Sequence, residues 1–161
     1  MHKQTIRISE SHSGLDVAVE LLGDKAPGNV AFLWDYLREP RSIPSIHAIW
    51  TGPEISCPIP MAHLIPGGAD PLPLENAALT PQPGDLVLSY VPARVWGGGP
   101  DPIFDIGFFY GPGGRLFFPI GWLPGSVVGR VPATQIEALA AACGKIRRSG
   151  ACDIKMSRVE A

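Results

Sequence analysis

Charge is scarce in this sequence: Asp, Glu, Lys and Arg make up 17% of 161 residues, against 45% hydrophobic. The net charge is −2, and the densest basic stretch is Lys145-Ile146-Arg147-Arg148. No basic face of the kind nucleic acid requires is present, so nucleic acid is not an expected partner. Long apolar runs are missing too. The most hydrophobic region, 102–129, is broken by Gly, Pro and charged residues. No stretch reaches the roughly 20 apolar residues of a spanning helix, so no membrane partner is expected. The first residues, MHKQTIRISE, lack the apolar segment of a secretory signal. Cysteine is limited to Cys57, Cys143 and Cys152, with no CxxC spacing. That argues against a disulfide framework and a zinc site, and the thiols read as packed side chains in a reducing cytoplasm. His2, His12 and His63 are isolated, and no His/Asp/Glu spacing suggests a metal site. Neither Gly97-Gly98-Gly99 nor Gly111-Pro112-Gly113-Gly114 has the pattern of a phosphate loop, and no Ser sits in a nucleophile elbow. No cofactor is expected.

Gly and Pro, by contrast, are plentiful, at 19 and 18 residues, clustered in 65–73, 81–84, 97–102, 111–114 and 123–125. Such punctuation fits many short strands joined by turns. Alternation predicts a hairpin from 4–9 and 15–21. Val30, Leu33, Trp34 and Leu37 recur at helical spacing, predicting a helix over 27–38 that Pro40 ends. Strands are predicted at 45–50, 54–59, 85–91, 103–110, 115–119, 126–131 and 152–158. A long Pro/Gly loop runs to about 83, and 111–114 reads as a hairpin turn. Ile136, Leu139, Ala140 and Cys143 form the buried stripe of a second helix over 134–148. A chain of 161 residues is one ordinary domain, able to bury about two-thirds of its unfolded surface. The expected fold is mainly β, a closed barrel of about eight strands capped by two helices, over 1–161.

The order of a hairpin, a helix opened by Ala26-Pro27-Gly28-Asn29-Val30, and a strand with Ile46-His47-Ala48 resembles cyclophilin. It resembles more closely a bacterial group of small cyclophilin-like proteins of unknown function. That likeness is carried by His47-Ala48-Ile49-Trp50-Thr51-Gly52-Pro53-Glu54, Pro83-Gly84-Asp85-Leu86, Phe109-Tyr110-Gly111, and a helix end of Leu139-Ala140-Ala141-Ala142-Cys143 through Arg147-Arg148-Ser149-Gly150-Ala151. The resemblance implies a cyclophilin-like barrel. It also carries a negative expectation. Proline-isomerising cyclophilins place an arginine directly after the histidine, where this chain has Ala48, and their downstream glutamine is matched by Ser56. Alanine has no side-chain donor, so peptidyl-prolyl isomerase activity is not expected. Proteins of similar fold include subunits of enzymes acting on ureido or cyclic-amide compounds, an analogy of fold only.

Three residues are candidates for catalysis. Glu54 reads as a carboxylate at the mouth of an aromatic cleft or as a solvated strand-edge charge. His47 reads as a general base or as a core histidine tied to a backbone carbonyl. Asp105 interrupts an apolar strand; it faces a pocket, pairs with Arg94 or Arg115, or points outward. Trp50, Tyr90, Trp96, Tyr110 and Trp122 are candidates to line a small-molecule cleft, the alternative being core or subunit contacts. Arg94 is a candidate to hold a ligand carboxylate, and 97–99 a candidate lid. Two functions remain open at this point. One is a small-molecule enzyme or binding protein with its cleft near Trp50, Glu54, Tyr90 and Asp105. The other is a non-catalytic interaction module or accessory subunit, its apolar 56–73 loop and Phe108, Phe109, Phe117 and Phe118 serving assembly. Homo-oligomerisation is expected under both.

Overall fold

The computed structural model describes residues 3–64 and 70–160. Both His2 and part of the predicted Pro/Gly loop, 65–69, lie outside the described residues. The elements in chain order are β1 (Thr5–Glu10), β2 (Leu15–Leu21), α1 (Pro27–Tyr36), β3 (Arg41–His47), β4 (Glu54–Pro58), β5 (Ala77–Ala78), β6 (Asp85–Val91), β7 (Ile103–Phe109), β8 (Phe117–Phe118), β9 (Gly121–Trp122), β10 (Gly125–Arg130), α2 (Ile136–Ser149) and β11 (Cys152–Arg158). Eight strands close an antiparallel ring in the order β1–β11–β3–β4–β7–β6–β10–β2, with β2 returning to β1. This is the barrel the residue pattern predicts. No described helix is long and apolar enough to cross a membrane.

Period-two alternation builds the interior. Ile6, Ile8, Val17 and Val19 point inward from the hairpin, and Ile55, Cys57, Leu86, Leu88, Phe104, Ile106 and Phe108 from the opposite wall. Val30, Leu33 and Leu37 of the first helical segment, with Leu139, Ala142, Cys143 and Ile146 of α2, join the same core. A separate apolar cluster of Val87, Phe109, Leu116 and Val127, with Phe118 packed on it, covers the outer face of β6, β7 and β10. These strands are buried on both faces, which is why 85–91 and 103–110 read as nearly continuous apolar runs. The seam between β10 and β2 closes at Gly129, where a Cβ would stand 2.8 Å from Val19 Cγ1. Any larger residue there would hold the seam apart.

Three expectations need correction. The third strand runs 41–47, not 45–50, so Ala48–Pro53 is a connecting segment and Trp50 is not on a strand. Pro40 and Pro44 hid this strand. Pro44 lies opposite Asp153 of β11 and beyond the two residues, Ile46 and His47, through which β3 pairs with β4, so on that edge its missing N–H costs no ladder bond. Residues 111–114 do not make a hairpin with 115–119; Phe117–Phe118 pairs only with Gly121–Trp122, in a small sheet of its own. In α2 the buried residues are Leu139, Ala142, Cys143 and Ile146; of the predicted stripe Leu139 and Cys143 are buried, Ile136 packs on the core partly buried and Ala140 is only partly covered, and the helix itself starts two residues later, behind a short 3₁₀ turn, Ala133–Gln135.

Asp85 pins β6 to β10. It is 3% exposed, its Oδ1 accepts from Arg130 Nε at 2.9 Å and Nη2 at 2.8 Å, and its Oδ2 accepts from Gln82 N at 2.8 Å. Breaking a buried pair costs roughly 3–5 kcal/mol, and the half-exposed Arg130 reduces that toward about 2 kcal/mol. Asp85→Ala is expected to lower the urea midpoint accordingly, with the slope of the transition unchanged.

Candidate functional site

The β4–β7 ladder pairs Glu54 with Phe109, Ser56 with Gly107 and Pro58 with Asp105. Since Ile55 and Cys57 point into the core, Glu54 and Ser56 point outward; Asp105, between Phe104 and Ile106, points outward as well. Two carboxyl groups thus share one patch of the outer wall. Glu54 is 4% exposed and Thr51 2%. The Thr51 hydroxyl donates to Glu54 Oε2. Ser56 Oγ donates to Asp105 Oδ1 at 2.7 Å. Among the described residues, neither carboxylate has a Lys, Arg or His partner. Gly107 makes the room: a Cβ there would fall 1.9 Å from Glu54 Oε1.

This environment favours the neutral acid. Burial is the main cause that pushes Glu54 up to about 8; the Asp105 charge adds to it and the Thr51 hydroxyl opposes it. Burial also raises Asp105, to about 6, against the hydrogen bond from Ser56. The pair therefore shares a proton near neutrality.

An aromatic chain extends from the outer cluster. Phe118 belongs to the outer cluster, Trp96 meets it edge-on at 5.5 Å, and Trp50 lies 5.6 Å from Trp96. The 92–102 connection that carries Trp96 therefore folds over the outer face. Its backbone enters left-handed conformations at Arg94, Gly97 and Gly98, with φ of 69°, 60° and 72°. Arg94 is exposed, and its N–H donates to Gly99 O at 2.7 Å, closing that turn.

Of the predicted site residues, the structure sets Glu54 and Asp105 on one wall and, separately, packs Trp50 against Trp96. It separates four others from them. Tyr90 follows Leu86 and Leu88 onto the inner face and packs on Phe104 at 5.1 Å, so it is absent from the acid pair's side. His47, opposite Ile55, and Tyr110 meet each other on the inner rim, with Nε2 and the hydroxyl 2.6 Å apart. Trp122 is 54% exposed and rests on Phe117 at 5.0 Å, outside the Trp50–Trp96–Phe118 chain. Asp105 takes Ser56 as its partner rather than Arg94 or Arg115; Arg115 instead reaches Gly113 O at 3.5 Å. Thr51 and Gly107 were not singled out as site residues in the sequence, and Phe118 was read there only as an assembly contact. The available signal for Gly107 was a glycine in the middle of a strand, which marks a close approach.

Two open concavities lie elsewhere. One, about 200 Å³, is lined by Leu72, Leu88, Tyr90 and Leu123; the other, about 1070 Å³, runs along α1 past Trp34 and Arg158. Neither contains Glu54 or Asp105. Perturbed acids mark a candidate site independently of open volume. All three cysteines are free thiols, with Cys57 and Cys143 buried, and burial raises all three above the ordinary thiol range. Thiols so disposed are poor nucleophiles.

The structure of McbB in complex with tryptophan is similar to this chain with a TM-score of 0.65 at 21% identity, covering 97% of this chain and 45% of McbB. The chain thus spans less than half of McbB. The solution structure of the hypothetical protein AF2241 from Archaeoglobus fulgidus has a TM-score of 0.51 at 19% identity, covering 98% of this chain and 95% of that one. A cyclophilin-type peptidyl-prolyl cis-trans isomerase from Cryptosporidium parvum gives 0.49 at 11% identity, with 99% of each chain covered. No curated protein matches the chain. At these identities McbB and AF2241 establish a shared fold. The family itself is set by the match over residues 8–158: the chain belongs to DUF3830, a family of proteins of unknown function.

Proposed function

We propose that the outer wall of β4 and β7 is an acid–base site for a small organic molecule, with Glu54 as proton donor and Asp105 as acceptor. One observation carries this reading: two carboxyl groups, one buried and one half-buried, share a wall and, among the described residues, are held by hydroxyls alone. A carboxyl pair whose environments split its proton affinities is how one site supplies an acid and a base at neutral pH. On this reading Trp50 and Trp96, in contact with each other, offer flat apolar faces to a ring-bearing ligand. That McbB binds tryptophan supports a ligand of small-molecule size. Ala48 adds no donor beside the wall, which supports a chemistry other than prolyl isomerisation. The free thiols support a reducing compartment such as the cytoplasm.

A melting screen against carboxylates, amino acids and cyclic amides tests the reading. A ligand at a hundred times its Kd stabilises by about 2.7 kcal/mol, or roughly 5–10 °C at this size. The shift should vanish in Trp96→Ala and survive in Trp122→Ala. A hit insensitive to Trp96 sinks the proposed location.

A second reading rests on exposed apolar side chains: Ile46, Ile49, Trp50, Phe117, Ile120 and Trp122 are each 44–73% exposed. Such a rim suits assembly with a second copy of the chain. Light scattering that returns a strict monomer removes this reading.

A further inference from the structure

We infer that His47 and Tyr110 are positioning residues: their side chains clasp the 48–53 segment and hold Trp50 and Thr51 in register with Glu54. The functional meaning of the clasp rests on the acid-pair reading above. Its geometry does not.

His47 is the last residue of β3. Its Nδ1 lies 2.8 Å from Ala48 O, which can only accept, so Nδ1 carries the ring proton. That leaves Nε2 as the acceptor, and the Tyr110 hydroxyl donates to it at 2.6 Å. The rings meet edge to face, at 5.6 Å and 70°. Backbone bonds also tie both ends of the segment. The Ala48 N–H donates to Glu54 O at 2.9 Å, and the Tyr110 N–H donates to Pro53 O at 3.0 Å. Midway, the Arg115 N–H donates to Thr51 O at 3.0 Å. Among these ties, only His47–Tyr110 joins two side chains, so it is the one the sequence specifies by residue type.

The clasp stands on the inner rim, whereas Thr51 and Trp50 act on the outer wall. The segment therefore passes from a fixed hinge to a working surface. Release of the hinge should free the Thr51 hydroxyl from Glu54 and Trp50 from Trp96. An error of about 1 Å in such a contact is enough to disable a preorganised site.

The test uses the full chain labelled with fluorotryptophan, whose four tryptophans give separate ¹⁹F resonances. Trp50 and Trp96 are assigned by loss of signal in Trp50→Phe and Trp96→Phe. Tyr110→Phe removes only the hydroxyl, whereas His47→Ala removes the acceptor together with the Nδ1 bond to Ala48 O and the ring contact. Each is expected to shift or broaden the Trp50 and Trp96 resonances, the double variant no further than His47→Ala alone. Trp34, stacked 4.5 Å from the Arg158 guanidinium on the far helix, should stay put. A merely structural role would lower the melting point of both variants with Trp50 unmoved in the folded protein, and that result overturns the inference. Additive shifts in the double variant also overturn it. No ligand enters this measurement, so a failed ligand screen counts against the acid-pair reading alone.

Discussion

Glu54→Gln is expected to make the protein more stable than wild type at pH 8.5 and to flatten the fall in stability between pH 5 and pH 8. An unfolded Glu titrates near 4.3, while burial and Asp105 hold folded Glu54 up to about 8. Between those values the folded chain keeps a proton that the unfolded chain has released. Stability must therefore decline as pH rises, until the folded group also ionises. Above that point the outer wall carries two neighbouring carboxylates in a largely buried setting. The total loss is on the order of a few kcal/mol, large against the 5–15 kcal/mol of a typical domain. Asp105, raised to about 6, adds a smaller loss of the same sign beginning at lower pH. Glutamine keeps the shape and the Thr51 contact but has no proton to lose, so the steep part of the curve should disappear. Urea melts at half-unit pH intervals give both curves. Parallel curves would refute a buried, protonated Glu54. With a turnover assay in hand, the same substitution should lower kcat by about 10²–10⁴-fold while the ligand still binds.

Much of the barrel was legible because two-sided burial and alternation leave a residue-level trace. The pairs Ile6/Ile8 and Val17/Val19 announced the hairpin, and 85–91 and 103–110 announced themselves as strands by apolar content alone. What failed was local and has named causes. A proline at 44 looks like a strand breaker until it is known that β3 pairs with β4 only at Ile46 and His47. Phe117 and Phe118 looked like half of a hairpin because sequence cannot reveal that their partner lies across Ile120 rather than across Gly113.

The site was half legible. Glu54 and Asp105 stood out as charges in apolar strands, and the register set them on one wall. Tyr90 was misplaced because which face a residue takes depends on the strand's phase. Between apolar neighbours on both sides, phase leaves no pattern. The pairing of His47 with Tyr110, 63 residues apart, had no local signal at all.

Gly107→Ala is expected to be among the most damaging single-methyl additions in the protein. The new Cβ would stand 1.9 Å from Glu54 Oε1 and 2.9 Å from its Cδ, and the three nearest atoms all belong to Glu54. A flexible exposed side chain would swing aside at little cost, but Glu54 is buried and held by Thr51. Forcing it out combines overpacking, about 1–3 kcal/mol, with loss of a hydrogen bond to a buried acid, about 1–3 kcal/mol. A total near 3 kcal/mol lowers the melting point by roughly 6–12 °C at this chain length. Gly144→Ala is the control with the opposite sign. It lies in α2, and no atom stands within 4 Å of the place its methyl would take, so it should stabilise by up to about 1 kcal/mol. The decisive measurement is the double-mutant cycle. If the clash with Glu54 is the whole cost, Gly107→Ala should be nearly neutral in a Glu54→Ala background, giving a coupling of about 2–3 kcal/mol. An undiminished penalty there would mean that Gly107 serves the strand itself, and that the carboxyl does not occupy the space over it.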